Sequence, residues 1–351
     1  MKEDLVMKMQ QFRKITIGLL LPVLYSTASF ANQNELVRII NLEGFWKYSI
    51  GEREEWVSAE YDDHQWESVY VPSPWEDQGF HGYNGFGFYR KQFTLSDEHK
   101  GKTLYLNLGY IDDVDETYIN GHKIGSTGSF PPSYETAYNA NRIYYIPGEF
   151  LNFNGSNTIS VKVYDSYQYG GIVKGDIGIY ANKFDVQLDI NLQGVWKFKT
   201  GDDFSWKDPG YDDSGWNEVF VPAKWEDQGY RDYDGYAWYR KTFYYKDIPG
   251  ETIILVLGKI DDLDQVYING KLVGGTGDLT SRLNKRVSTG EHYRAFRGYY
   301  ISSEFLKKNQ KNVIAVRVYD GQGAGGIYEG PVGLISQKKY IRFWHNRSRN
   351  N

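Results

Sequence analysis

No cysteine occurs in the 351 residues, which excludes disulfides, thiolate metal sites, a cysteine nucleophile and a lipid carried on sulfur, so the chain is not read as a lipoprotein. Long apolar runs are also lacking. The one candidate, residues 15–24, is about half of what a bilayer span requires, so no membrane insertion is expected. Beyond it there is no sustained helical period and no glycine loop of the P-loop or dinucleotide kind. The histidines (His64, His81, His99, His122, His292 and His345) fall at no metal-ligand spacing. A formal net charge of −5 supplies no general pull toward nucleic acid, and none is expected as a partner.

The short apolar run reads as part of a leader. Lys8, Arg13 and Lys14 precede it and small residues follow it, with Ser29 and Ala31 suited to the −3 and −1 positions of a cleavage site. Residues 1–31 are therefore expected to be a signal peptide, leaving a soluble protein in the periplasm or outside the cell. Aromatic residues make up 17% of the chain, well above ordinary usage. Rings in such number either fill a core or stand exposed as flat platforms.

The organising feature is an internal repeat. YVPSPWEDQGFHGYNGFGFYRKQF from Tyr70 recurs as FVPAKWEDQGYRDYDGYAWYRKTF from Phe220, an offset of 150 residues. Trp46, Trp56, Trp66 and Trp75 recur at the same offset as Trp196, Trp206, Trp216 and Trp225. DDVDETYINGHKIGSTG from Asp112 recurs from Asp261 at 149, and VKVYD ending at Asp165 recurs as VRVYD ending at Asp320 at 155. The one-residue slip and the six-residue gain are expected in loops, because an insertion within a strand would turn its side chains onto the other face. Leu104, Leu106 and Leu108 alternate with other residues, as do Ile159, Val161 and Val163, and Ile314, Val316 and Val318; this period of two marks strands with one face in a core. Asn120-Gly121 and Asn269-Gly270 predict type I′ hairpin turns. Single helical turns are expected near Phe150-Leu151 and Phe305-Leu306. The chain is thus read as all-β, with two tandem β-sandwich domains at 32–185 and 186–340, a last strand at 340–344 and a basic tail over 341–351.

Gly44-Phe45-Trp46, Trp75-Glu76, Tyr89-Arg90-Lys91, Asp112-Asp113, Asn120-Gly121 and Gly170-Gly171-Ile172 carry a resemblance, and each pattern has its counterpart in the second copy. Together they resemble the sugar-binding jelly-roll domain of family 2 glycoside hydrolases. The resemblance implies the galactose-binding-like β-sandwich fold, in a setting where such domains accompany β-galactosidase and β-glucuronidase barrels. In that family the reaction belongs to a (β/α)8 barrel of about 250 residues, for which two modules leave no room. The expected function is a secreted, non-catalytic, carbohydrate-binding accessory protein that assists polysaccharide degradation, with a polysaccharide or oligosaccharide as ligand and a glycoside hydrolase as a further candidate partner. Two alternatives stand beside it: a scaffold for a partner enzyme that has lost its sugar site, and a β-galactosidase-like glycoside hydrolase.

Sugar recognition needs an apolar ring face and planar polar side chains. Trp75, Glu76 and Tyr83, with their counterparts Trp225, Glu226 and Tyr233, supply both types in loop-like sequence. Tyr167 and Tyr169 flank Gln168 in copy one alone, where copy two has Gly321, Gln322 and Gly323; Tyr134 lies in an aromatic, nearly neutral loop at 129–142. The corresponding loop of copy two carries Arg282, Lys285, Arg286, Arg294 and Arg297 against Asp278 and Glu291, which points to an anionic polysaccharide for the second domain. Paired aspartates (Asp62-Asp63, Asp112-Asp113, Asp212-Asp213, Asp261-Asp262) are read as turn residues and as charge partners for Arg90 and Arg240, so no catalytic residue is assigned. No cofactor is expected. A structural calcium held by loop oxygens is left open, without an EF-hand-like run to support it.

Overall fold

The computed structural model describes residues 36–183, 186–248, 251–279 and 290–349. The expected leader and its expected cleavage site lie outside the described residues.

The period-two segments are strands, and the residues picked out by alternation face inward. Leu104, Leu106 and Leu108 lie in Leu104–Asp112, and Ile159, Val161 and Val163 in Ser156–Asp165; all six are buried. In the first module these strands belong to two facing antiparallel sheets. One runs Glu67–Val71, Gly44–Ile50, Gly85–Thr94, Ser156–Asp165, Val114–Ile119, His122–Thr127. The other centres on Leu104–Asp112, with Leu36–Asn41, Gly171–Lys174, Gly178–Asn182 and Asn141–Ile146 around it. The second module repeats the six-stranded sheet in the same order from Asn217–Val221 to Lys271–Thr276. Its opposing sheet is four-stranded, because the single strand Gly326–Ser336 takes the place of two in the first module. Each sandwich holds its own core.

Local signals set the connections. Asn120 and Gly121 have φ of +49° and +82°, and Asn269 and Gly270 have +50° and +82°, the pair of left-handed residues that a type I′ turn requires. The turns expected beside Phe150 and Phe305 form as 3-10 helices, Gly148–Phe150 and Ser303–Phe305. The one-residue slip falls between the strands that end at Tyr245 and begin at Ile253, and the six-residue gain between those that end at Thr276 and begin at Phe296. Arg90 and Arg240 are buried and donate through Nε to Asp63 (2.7 Å) and Asp213 (2.8 Å), the charge partners expected from sequence. Trp206 and Trp216 roof the outer face of the six-stranded sheet against Trp238, as Trp56 and Trp66 do against Phe88.

The segment after Ser336 departs from expectation. Instead of a strand at 340–344 and a frayed tail, Gln337–Arg349 is an α-helix. Tyr340, Phe343 and Trp344 fall on one helical face at i, i+3 and i+4, and this stripe packs on Ile254, Val256 and Ile335 on the outside of the four-stranded sheet. The corresponding face of the first module, with Tyr105 and Tyr145, meets Pro222, Ala223 and Tyr328 of the second module instead. One sheet face is thus covered by a neighbouring module and the other by a helix. Among the described residues no helix is long and apolar enough to cross a membrane.

Polar contacts fix the modules against each other. Arg231 pairs with Glu135 (2.9 Å) and donates to the Gly128 carbonyl and the Ser129 hydroxyl, Thr103 donates to Gln193 (2.8 Å), and Phe150 meets Phe220 edge-on at 5.5 Å. Asp227 sits in the crevice between them, where burial pushes its carboxyl up to about 6; Lys224 pulls it down and Asp115 adds to the rise. Between about pH 4 and 6 the folded state therefore holds a proton that the unfolded chain has released, and stability falls as pH rises through that window. Asp227→Asn is expected to flatten this slope and to raise stability at pH 7 by on the order of 1–2 kcal/mol, measured by urea denaturation at pH 4.5 and 7.

Candidate functional site

At one end of each sandwich four segments converge: the Trp-Glu turn, the double-glycine bend, the aspartate pair and the end of the long central strand. In the first module Trp75 N donates to Gly170 O (3.1 Å) and Gly170 N donates to Glu76 Oε2 (3.0 Å). The double glycine is required because the backbone lies directly on side chains. A methyl group at Gly170 would collide with the Trp75 indole, and one at Gly171 with the Tyr89 hydroxyl. Gly325 and Gly326 stand in the same relation to Trp225 and Tyr239.

This close approach overturns one sequence expectation. Trp75 and Trp225 are fully buried, so neither has a ring face to offer a sugar, and both plug the end of the core. Tyr83 and Tyr233 pack beside them and spend their hydroxyls on the Phe86 and Tyr236 carbonyls (2.8 and 2.6 Å). Glu76 and Glu226 hold the bend through Gly170 N and Gly325 N, and burial pushes Glu226 up to about 8. All six residues thus serve the framework.

Next to them lies a group of carboxylates, two of which in each module belong to the aspartate pairs expected as turn residues and charge partners. Asp112, Asp113 and Asp165 bring their oxygens within 4.8 Å of one another, and Asp261, Asp262 and Asp320 do so in the second module. Asp113 accepts from Tyr134 Oη (2.6 Å), Ser166 N (3.1 Å), Ser166 Oγ (3.0 Å) and Thr136 Oγ1. Burial works to raise its pKa, but these donors outweigh it and hold the group below the ordinary carboxylate value. Burial pushes Asp112 up to about 7 and Asp165 up to about 6, each helped by the neighbouring carboxylates. Asp261 and Asp320 are raised for the same reasons. Behind each cluster lies a buried ion pair. Arg142 Nε donates to Asp115 (2.9 Å) and Arg297 Nε to Asp264 (2.9 Å), with all four side chains buried.

Arg297 therefore leaves the basic loop and joins the core. Arg294 is exposed, but it pairs with Glu291 at 2.9 Å and lies over the Tyr293 ring. Arg282, Lys285 and Arg286 fall outside the described residues. The recurrence of Arg142 as Arg297 was the available signal for this pair, visible once the insertion is taken out.

Of the candidate aromatic residues, those most open to solvent are on the first module. Tyr167 and Tyr169 are 71% and 55% exposed, on either side of Gln168, whose φ of +73° makes it the apex of the loop. The loop is fastened at its base, where Asp165 Oδ1 accepts from Tyr167 N (3.1 Å). Tyr134 is 37% exposed and bridges Asp113 and Ser166 through its hydroxyl. The structural equivalents of Tyr167 and Tyr169 are Gln322 and Ala324, since Gln322 N is fixed by Asp320 Oδ1 in the same way (3.1 Å). Among the described residues this pair of exposed rings has no aromatic counterpart at the same place in module two.

Comparison with known proteins agrees with this architecture. Residues 51–168 match the family described as the β-galactosidase second all-β domain. The resemblance to the β-sandwich domains of family 2 glycoside hydrolases stands on this match and on the curated relatives. A putative β-glucuronidase of Formosa agariphila is 29% identical over 153 residues, 40% of this chain and 14% of that protein. A β-galactosidase of Priestia megaterium is 25% identical over 180 residues, 42% of this chain and 16% of that protein. Among solved structures, a Bacteroides uniformis β-glucuronidase aligns with 80% of this chain and 28% of its own, at 18% identity and a TM-score of 0.35. A Ruminococcus gnavus β-glucuronidase aligns with 88% of this chain and 46% of its own, at 14% identity and 0.36. The chain spans about a seventh of the length of these curated relatives.

Proposed function

We propose that this is a non-catalytic carbohydrate-binding protein of a glycan-degrading system, acting outside the cytoplasm, with module one as the binding module. The observation that carries the reading is the pair Tyr167 and Tyr169: two exposed rings on a loop pinned by Asp165, next to the Asp112–Asp113 carboxylates. Rings of this kind cover the C–H faces of a sugar, while neighbouring carboxylates accept from its hydroxyls. Catalysis fits the cluster poorly. A glycosidase sets two carboxylates about 5–9 Å apart across a sugar, whereas these oxygens lie within 4.8 Å of one another.

Tyr167→Ala combined with Tyr169→Ala is expected to weaken binding to a neutral polysaccharide about tenfold or more in affinity gels, with folding stability changed by less than about 0.5 kcal/mol. Unchanged retardation would remove the tyrosines from the site. Failure of the native chain to bind any glycan on an array would favour the scaffold reading, which the loss of both rings in module two already supports for that module. Release of reducing sugar by the pure protein would overturn the non-catalytic assignment. The preference of module two for an anionic polymer rests on Arg282 and Arg286; equal retardation by neutral and sulfated polymers would remove it.

A further inference from the structure

We propose that each module binds one divalent cation, calcium by donor type, at its three-aspartate cluster: Asp112, Asp113 and Asp165 in the first, Asp261, Asp262 and Asp320 in the second. The spacing suits an ion. Calcium takes oxygens at about 2.3–2.6 Å, so its ligands lie at most about 5 Å apart across the metal. Three oxygens within 4.8 Å of one another fall inside that limit in both modules.

Acidic groups gather on many protein surfaces without binding anything, but here the innermost member of each cluster is not on the surface. Asp165 and Asp320 are fully buried. Each uses Oδ1 to accept one backbone N–H, from Tyr167 and Gln322 respectively, while Oδ2 has no hydrogen-bond partner. The Asp165 side chain meets that of Asp113, and Asp320 lies against Asp261 and Asp262. A buried carboxylate oxygen facing other carboxylates, with no donor, is an arrangement that a bound cation satisfies directly.

The nearest fixed cations do not fill this role. Arg142 spends its guanidinium on Asp115 and on the carbonyls of Ala137, Ala140 and Asp113, and Arg297 is committed in the same pattern to Asp264 and three carbonyls. In module one a further buried and unpartnered oxygen, Glu76 Oε1, adds negative charge close to Asp165. Every donor in the cluster is a carboxylate oxygen, without nitrogen or sulfur, which selects a hard ion of the calcium or magnesium kind. A cation at Asp165 would also stiffen the base of the Tyr167–Tyr169 loop, but its binding is measurable without any sugar.

The test uses the full chain stripped with chelator and titrated with calcium chloride in a calorimeter. Two equivalents are expected, together with a rise in Tm on the order of 5 °C at saturating calcium. Asp165→Asn and Asp320→Asn are each expected to remove one equivalent, and the double variant both, while Tm in chelator stays near that of the parent. Asp112→Asn with Asp261→Asn serves as the second pair should the first fold poorly. Absence of heat and of any thermal shift with calcium, magnesium or manganese would overturn the proposal in favour of a proton shared among the carboxylates. Full binding in either double variant would overturn it as well. One equivalent, lost in only one single variant, would overturn it for the other module.

Discussion

Trp225→Ala is expected to destabilise the second module by about 3–5 kcal/mol, the range for removing a large aromatic from a packed core. The indole is fully buried, lies 5.8 Å from the Phe198 ring and 5.7 Å from the Tyr233 ring, and its edge rests on Gly325. Deleting it leaves a cavity beneath a backbone bend that cannot collapse, because that bend also carries the Gly325 N to Glu226 contacts and the Gly326 approach to Tyr239. Trp75→Ala is expected to cost at least as much in the first module, since Trp75 Nε1 also donates to the Tyr83 carbonyl at 3.2 Å. Urea denaturation of both variants checks this. Stability retained alongside a loss of glycan binding would return these rings to the platform role that the structure takes from them.

The second large effect is expected at the buried ion pairs. Arg142→Met should cost about 3–5 kcal/mol, because it strands a charge rather than merely deleting a contact. Asp115 is fully buried and would keep only Thr117 Oγ1 (2.9 Å) and Tyr144 Oη (2.9 Å) as donors. The carbonyls of Asp113, Ala137 and Ala140 would lose their donor in the same step, and these carbonyls hold the loop leading to Tyr134. Arg142→Lys should recover little, since an ammonium cannot reproduce the planar fork that meets four acceptors. Adding Asp115→Leu to Arg142→Met should restore a substantial part of the loss, because the stranded charge is then gone. If the double variant melts no later than the single one, charge burial is not the source of the cost. Arg297→Met and Asp264 form the equivalent test in the second module.

These two sites also mark where sequence reading succeeded and where it stopped. The pattern WEDQG is legible as a turn element at a fixed place in each module, but not as buried or exposed. Tryptophan beside glutamate and glycine has the same composition in a sugar platform and in a core plug, and the choice depends on where Gly170 and Gly325 come to rest, about a hundred residues away in sequence. In the sequence Arg297 groups with the other arginines of the basic loop for the same reason. Its partner Asp264 lies 33 residues earlier, across a loop whose length differs between the copies. Neighbours on a strand point to opposite faces, so the sequence offers the aspartate pairs as turn residues and charge partners rather than as acid/base pairs. The cluster forms only when Asp165 or Asp320 arrives from another strand.

The sequence by itself determined the all-β class, the two copies of one module, the inward faces of the long strands, the Asn-Gly turns and the placing of length changes in loops. All of these follow from spacings of two residues or from one copy checking the other. The tertiary structure decided the rest: the burial of Trp75 and Trp225, the pairing of Arg142 and Arg297, the convergence of three carboxylates, and the helix Gln337–Arg349 on a sheet whose counterpart is covered by the next module. Each depends on which surfaces meet after the sheets have formed. A segment such as QKKYIRFWHNRSR becomes a helix because an apolar sheet face is there to receive its stripe, and that face is assembled from strands remote in the chain.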